Sequence, residues 1–118
     1  MHQNVLPGQR QPYFLESGEG QRYLLGTFLA TFIGHRQDTG SLMEGVVLIG
    51  AKDSVVPLHR HNSSHEAIYV LEGSASLRLG DKEFALEGGD YASLPPGTSA
   101  QICLYQPPNQ AFDMDLRW

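Results

Sequence analysis

The sequence predicts an all-β protein, a sandwich or barrel of short strands, and three observations predict it. Short runs rich in valine, isoleucine, leucine, phenylalanine and tyrosine recur along most of the chain. Glycine and proline punctuate them, as in Gly80-Asp81-Lys82, Gly88-Gly89-Asp90 and Pro95-Pro96-Gly97. Helix-forming residues are not clustered into any long segment with a helical repeat. At 118 residues the chain is one domain, able to bury a single core.

Residues 1–20 carry Gln, Pro and Gly with little periodicity and are expected to be an extended arm. Residues 21–118 are expected to form the β domain. Tyr23 to Ile33 is rich in aromatic and β-branched residues and is long enough for two short strands, or for one strand bent at Gly26. Gly26, Thr27, Thr31 and the following Gly34 weaken a helical reading. His35 to Gly40 is a polar turn. Leu42 to Ile49 is nearly continuous in apolar residues, which predicts a strand buried on both faces.

Val55-Val56-Pro57-Leu58 is a further strand, with Pro57 marking an edge or a strand end. Glu66 to Leu71 and Ala75 to Leu79 read as strands, the second alternating apolar and polar. Gly80-Asp81-Lys82 turns the chain into Glu83–Leu86. Tyr91 to Leu94 and Ala100 to Tyr105 follow their own turns. Phe112 to Trp118 closes the chain with an alternating apolar face of Phe112, Met114, Leu116 and Trp118.

The net charge is −5 and the eight basic residues are scattered, so no basic patch is available to neutralise phosphates; a nucleic-acid partner is not expected. There is no apolar run of transmembrane length, and the first residues lack the basic start and apolar run of a signal peptide. No membrane association and a cytoplasmic location are therefore expected. Cys103 is the sole cysteine, which excludes an intrachain disulfide and a thiolate metal cluster. Within Gln101-Ile102-Cys103-Leu104-Tyr105 it reads as a small packing residue.

The chemistry concentrates in Pro57 to Gly73, PLHRHNSSHEAIYVLEG. His59 and His61 are one residue apart, which on a regular strand directs both imidazoles to one face. Glu66 has the wrong parity to join them if the strand simply continued. Asn62-Ser63-Ser64 supplies turn residues, so a reversal brings Glu66 in from the next strand. Two imidazoles and one carboxylate make the facial set that binds non-haem iron(II), and zinc as well. An H-x-H on a surface strand is often only two solvated histidines, so the surroundings have to decide. His65, next to Glu66, should point to the opposite face. The sequence has no nucleophile elbow to support serine-hydrolase chemistry.

Those surroundings carry a resemblance. His59-x-His61, then Glu66, then Gly73 resembles the first motif of the cupins, and Gly89-Asp90 with Pro95-x-Gly97 resembles the start of their second motif. The resemblance implies a single cupin jelly-roll β-barrel with its site inside. PYFLESGEGQRYLLGTFLATFI, TGSLMEGVVLI and GGDYASLPPGT extend it, from about Pro12 to Thr98, to the N-terminal cupin half of the bacterial quercetin 2,3-dioxygenases. It implies His59, His61 and Glu66 as ligands of a divalent transition metal (Fe, Mn, Ni, Co or Zn). Glu66 would also be the catalytic base that meets an enolic or flavonol-type substrate ahead of O₂.

The departures are specific. Where the second cupin motif places a fourth histidine ligand, this chain has Ala100, which cannot coordinate; the leading glycine of the first motif is Asp53. Three protein ligands with open positions are an ordinary catalytic set, but the lost imidazole lowers the expected metal affinity. By strand parity Ile68 and Val70 share the face of Glu66, and Ile102 and Leu104 that of Ala100. These five positions are expected to line a small apolar pocket or to be plain core. Ser99, Gln101 and Tyr105 have the opposite parity, and His35 lies far off in a turn. A small-molecule substrate or ligand is expected. The alternative to an enzyme is a non-catalytic binding or structural cupin with a degenerate site. The exposed strand at the chain end, and a resemblance to half of a two-barrel protein, lead us to expect a homodimer.

Overall fold

The computed structural model describes the backbone of residues 5–116 and the side chains of residues 5–105. Among the described residues eight strands form: β1 (Gln21–Leu25), β2 (Phe28–Gly34), β3 (Met43–Gly50), β4 (Val55–Arg60), β5 (His65–Leu79), β6 (Lys82–Glu87), β7 (Tyr91–Leu94) and β8 (Ser99–Leu116). One 3₁₀ turn, Arg36–Asp38, interrupts them. All strand pairs are antiparallel. No helix among the described residues is long and apolar enough to cross a membrane.

Two long strands tie the jelly roll together. The first half of β5 pairs with the second half of β8, and β7 and β3 flank that pair. β2 and β1 extend this face beyond β3. The second half of β5 pairs with the first half of β8, flanked by β6 and β4. The β5–β8 register slips between Val70 and Ala75, where both strands turn from one face to the other. Gly73 sits at that corner with φ +85°.

β5 thus joins the two strands read separately around Gly73. β8 likewise joins the strand read over Ala100–Tyr105 to the one read from Phe112. The side chains of the alternating Phe112–Trp118 face lie outside the described residues; the backbone through Leu116 continues β8. Between Tyr23 and Ile33 the chain makes two strands. Leu25 pairs with Phe28 across a two-residue loop in which Gly26 takes φ +62°.

The core lies between the faces. Phe28, Ile68, Ala75, Leu77, Leu94, Ala100, Ile102 and Leu104 pack there, with Ala75 opposite Leu104 and Leu77 opposite Ile102 across the β5–β8 ladder. Each fully buried Leu, Ile or Phe among them contributes about 1.5–3 kcal/mol relative to exposure. Gly50 is required by its neighbours: a Cβ there would lie 2.6 Å from Leu104 Cδ1 and 2.8 Å from Phe28 Cε1.

β3 departs from the expected burial on both faces. Val46 and Leu48 line the interior, whereas Ile49 is 43% exposed. The barrel has one inside, so a strand with no second layer over its outer face leaves alternate residues in solvent. Before β1 the chain is tied to the end of β2. Gly8 N–H donates to Asp38 Oδ1 at 2.6 Å, His35 N–H donates to Asp38 Oδ2 at 2.8 Å, and the Tyr13 hydroxyl donates to the Ile33 carbonyl at 2.7 Å.

Candidate metal centre

The site begins with a bulge. Val55 pairs with Cys103 and Val56 with Ile102, but the next partners are His59 with Ala100 and Arg60 with Ser99. Pro57 and Leu58 together face the single residue Gln101. A proline has no N–H to give the ladder, and among the described residues β4 pairs only with β8, so the extra residue is accommodated there. The bulge changes the parity expected from simple alternation. Val56 packs against the core, Leu58 is 63% exposed, and His59 rather than Leu58 stands opposite buried Ala100.

Backbone hydrogen bonds place the other two residues. Pro95, Pro96, Gly97 and Thr98 form a turn closed by Thr98 N–H donating to the Pro95 carbonyl at 3.2 Å, with Gly97 at φ +87° in its third position. That is the position where a type II turn needs glycine. The Gly97 N–H in turn donates to the His61 carbonyl at 2.7 Å, fixing the backbone of His61 just beyond the end of β4. Residues 62–64 reverse the chain, and Glu66 enters the interior from β5 while Leu94 of β7 pairs with it.

His59 Nε2 lies 3.4 Å and His61 Nε2 3.8 Å from Glu66 Oε1, and the three ligand atoms lie within 4.8 Å of one another. The two imidazole rings meet edge to face, 5.2 Å between centroids. His59 Nδ1 is 2.9 Å from the Pro57 carbonyl. A carbonyl only accepts, so Nδ1 carries the proton and Nε2 is the atom left for coordination. The Glu66 side chain is 5% exposed, and its charge contacts among the described residues are the two imidazoles.

A buried carboxylate facing two imidazole nitrogens needs a positive charge between them to be well compensated. Ligand distances of about 2.0–2.2 Å put neighbouring donors about 3.0–3.5 Å apart. The His59–Glu66 spacing already fits, and His61 needs only a small approach. The donor set suits a divalent transition metal or zinc.

The other two histidines among the described residues are engaged elsewhere. His65 Nε2 hydrogen-bonds Ser93 Oγ at 2.6 Å on the outer face. His35 stacks on Phe32 at 4.7 Å and hydrogen-bonds Gln21 Oε1 at 2.7 Å. Of the five positions read as pocket wall or core, Ile68, Ala100, Ile102 and Leu104 belong to the packed core cluster, and Val70 is buried. None of the five lines the large apolar cavity. That cavity, about 590 Å³, lies between the β1–β3 sheet and β4, with Phe28, Phe32, Val46, Leu48, Val56 and Pro57 among its walls. Sequence reasoning missed it because the bulge turns Val56 inward. The signal available was Pro57 next to the histidines, since proline within a strand marks bulges.

A small β jelly roll with a two-histidine, one-glutamate group facing its interior defines the class. The chain belongs to the cupins. The cupin domain model matches residues 45–100, which contain the whole triad and Ala100. The chain is 46% identical over 93 residues, 79% of its own length, to quercetin 2,3-dioxygenase of Bacillus subtilis, but spans only 28% of that enzyme. It is 34% identical over 92 residues to an uncharacterized protein of Methanocaldococcus jannaschii, covering 78% of this chain and 67% of that one. Among solved structures, an RmlC-like cupin from Shewanella frigidimarina superposes with a TM-score of 0.77 at 17% identity, over 93% of this chain and 95% of that one, which is a likeness of fold.

Proposed function

We propose that this cupin holds a divalent transition metal on His59, His61 and Glu66 and acts as a quercetinase-like oxidoreductase on an enolic or flavonol-type small molecule with O₂. The observation that carries the reading is the convergence of His59 Nε2, His61 Nε2 and the buried Glu66 carboxylate within 4.8 Å, in a chain 46% identical over its matched length to a quercetin 2,3-dioxygenase. The metal, when bound, supplies a Lewis acid that polarises an enolic oxygen. His59 is held by the Pro57 carbonyl in the tautomer that presents Nε2. Glu66, whose carboxylate is buried, would accept the enol proton on a carboxylate oxygen and leave the substrate electron-rich.

The direct test is metal content of protein produced in Fe, Mn, Ni, Co or Zn supplemented medium, beside His59→Ala and His61→Ala, followed by an aerobic flavonol assay with carbon monoxide detection. Near-stoichiometric metal that disappears in both variants, with carbon monoxide release, is the expected result. Less than a tenth of an equivalent in the wild type, indistinguishable from the variants, overturns it. A second reading rests on Ala100 standing where it faces His59: a non-catalytic ligand-binding or structural cupin, indicated by metal or ligand binding without turnover. The proposal includes a cytoplasmic homodimer, in which a second copy covers exposed apolar side chains such as Leu24 and Leu25; a monomeric mass in solution would count against that assembly.

A further inference from the structure

We infer that the outer face of the β1–β3 sheet carries a second binding site, for a small zwitterion with an aliphatic body: a free α-amino acid of the leucine type. The site shares no residue with the His59–His61–Glu66 group and does not depend on the function proposed for it. It is a cavity of about 290 Å³ between the chain segment before β1 and the outward side chains of β2 and β3. A turn builds its roof. Glu19 N–H donates to the Glu16 carbonyl at 3.0 Å, Glu16 N–H donates to Glu19 Oε1 at 2.7 Å, and Gly18 takes φ +84° where a type II turn needs glycine. Gly20 then brings the chain flush onto β2: a Cβ there would lie 2.4 Å from the Phe32 carbonyl oxygen and 2.9 Å from Thr31 Cγ2. Arg22 Nη2 donates to the Gly18 carbonyl at 2.6 Å, which holds the guanidinium charge against the turn.

The floor runs from charge to hydrocarbon. Arg22, Thr31 and Val47 stand side by side across β1, β2 and β3, and Leu29 pairs with Ile49 in the next row of that face. Thr31 is 7% exposed, and its hydroxyl makes no hydrogen bond with any described residue. A buried hydroxyl without a partner is costly, and this one lines the cavity, where a ligand oxygen can satisfy it. Glu19 and Arg22 also line the cavity, yet no ion pair joins them among the described residues. These groups set the class. A carboxylate accepts from the Thr31 hydroxyl beside the Arg22 charge, an ammonium answers Glu19, and a branched side chain covers Leu29, Ile33, Val47 and Ile49. A simple carboxylic acid would bring its charge towards Glu19 uncompensated, an amine would do the same towards Arg22, and a hydrocarbon would leave the Thr31 hydroxyl unpaired. The volume, at the small end for ligand sites, suits a molecule of leucine's size.

The experiment titrates the full chain with L-leucine, with 4-methylpentanoate, which lacks the amino group, and with 3-methylbutylamine, which lacks the carboxylate, by calorimetry and saturation-transfer NMR. The expected result is a Kd for leucine of about 1 mM or tighter, about fivefold or more below that of either analogue. Thr31→Val keeps the shape and removes the hydroxyl, and should weaken leucine binding about fivefold or more. Glu19→Gln keeps an acceptor for the Glu16 N–H and should erase leucine's advantage over 4-methylpentanoate. No binding of leucine up to about 10 mM overturns the inference. Equal affinity for leucine and either analogue also overturns it, as does undiminished leucine binding in a folded Thr31→Val. Should Thr31→Val fail to fold, an unchanged advantage of leucine in Glu19→Gln is the overturning result. These titrations use neither metal nor turnover, so their failure leaves the proposed metal function standing, and loss of that function leaves this site standing.

Discussion

His59 and Ala100 are direct cross-strand partners on the β4–β8 ladder, so a methyl group stands against an imidazole of the His59–His61–Glu66 group. Opposite residues on one face have Cβ atoms about 4.5–5.5 Å apart, close enough for a longer side chain at position 100 to reach what His59 reaches. Ala100 is 1% exposed, so it occupies a packed position rather than open space. Ala100→His is expected to raise affinity for Co(II) or Zn(II) at least tenfold in competition titrations. The metal-free variant should lose about 1–3 kcal/mol of stability from overpacking. Unchanged metal affinity would show that position 100 does not address the triad.

Glu66→Gln separates charge from shape. The amide nearly keeps the volume but removes the buried negative charge, so metal affinity should fall by about 10–100-fold. The metal-free protein should be as stable as the wild type or more stable by about 1 kcal/mol, since an incompletely compensated buried charge is gone. Urea denaturation with and without chelator measures both arms. A large loss of metal-free stability would mean that the carboxylate's contacts with His59 and His61 hold the fold rather than a metal.

Gly50→Ala tests the close approach of β3 to the core. The new Cβ would meet Leu104 Cδ1 at 2.6 Å and Phe28 Cε1 at 2.8 Å, both on packed side chains. A destabilisation of about 1–3 kcal/mol is expected in equilibrium unfolding. A neutral effect would mean that Phe28 and Leu104 have room to move.

Asp53 adopts φ +69°, and its N–H donates to the Leu104 carbonyl at 2.7 Å, pinning the turn before β4 to β8. The first cupin motif resembled by this chain has glycine at that position, and the left-handed backbone supplies the physical reason. Asp tolerates this conformation better than most side chains. Asp53→Val is expected to cost about 1–2 kcal/mol, whereas Asp53→Gly should be neutral or stabilising. Chemical denaturation of the two variants checks the difference.

Tyr13 provides a pH dependence. Burial, and secondarily the negative charge of Asp38, hold its phenol pKa above the ordinary value. A raised folded-state pKa means that the associated stability is fully present below the unfolded value of about 10 and is lost as pH rises through the folded value. Stability should therefore decline on the alkaline side, from about pH 10 upward. Tyr13→Phe should remove that share of the decline, while losing the hydrogen bond to the Ile33 carbonyl, about 1 kcal/mol, at neutral pH. Denaturation series at pH 8 to 11 give the comparison.

The residue types and spacings of this chain determined the strand-rich fold, the turns at Gly80-Asp81 and Pro95-Pro96-Gly97, and the grouping of His59, His61 and Glu66 through a reversal at residues 62–64. Each is legible because it depends on local chemistry: glycine at a positive φ, proline at a fixed φ, or alternation along one strand. Ala100 was equally legible as a missing ligand position from the resemblance. What only the tertiary structure decided follows from pairing between distant strands. The Pro57-Leu58 bulge becomes visible when β4 is laid against β8, and it turns Val56 and His59 inward and Leu58 outward. The same pairing sets Ala100 opposite His59. It also leaves the apolar walls of β2, β3 and β4 facing a cavity, away from the Ile68, Ile102 and Leu104 packing. A one-residue shift in register reverses every side chain beyond it, and register is a property of two strands together, so neither strand's sequence carries it alone.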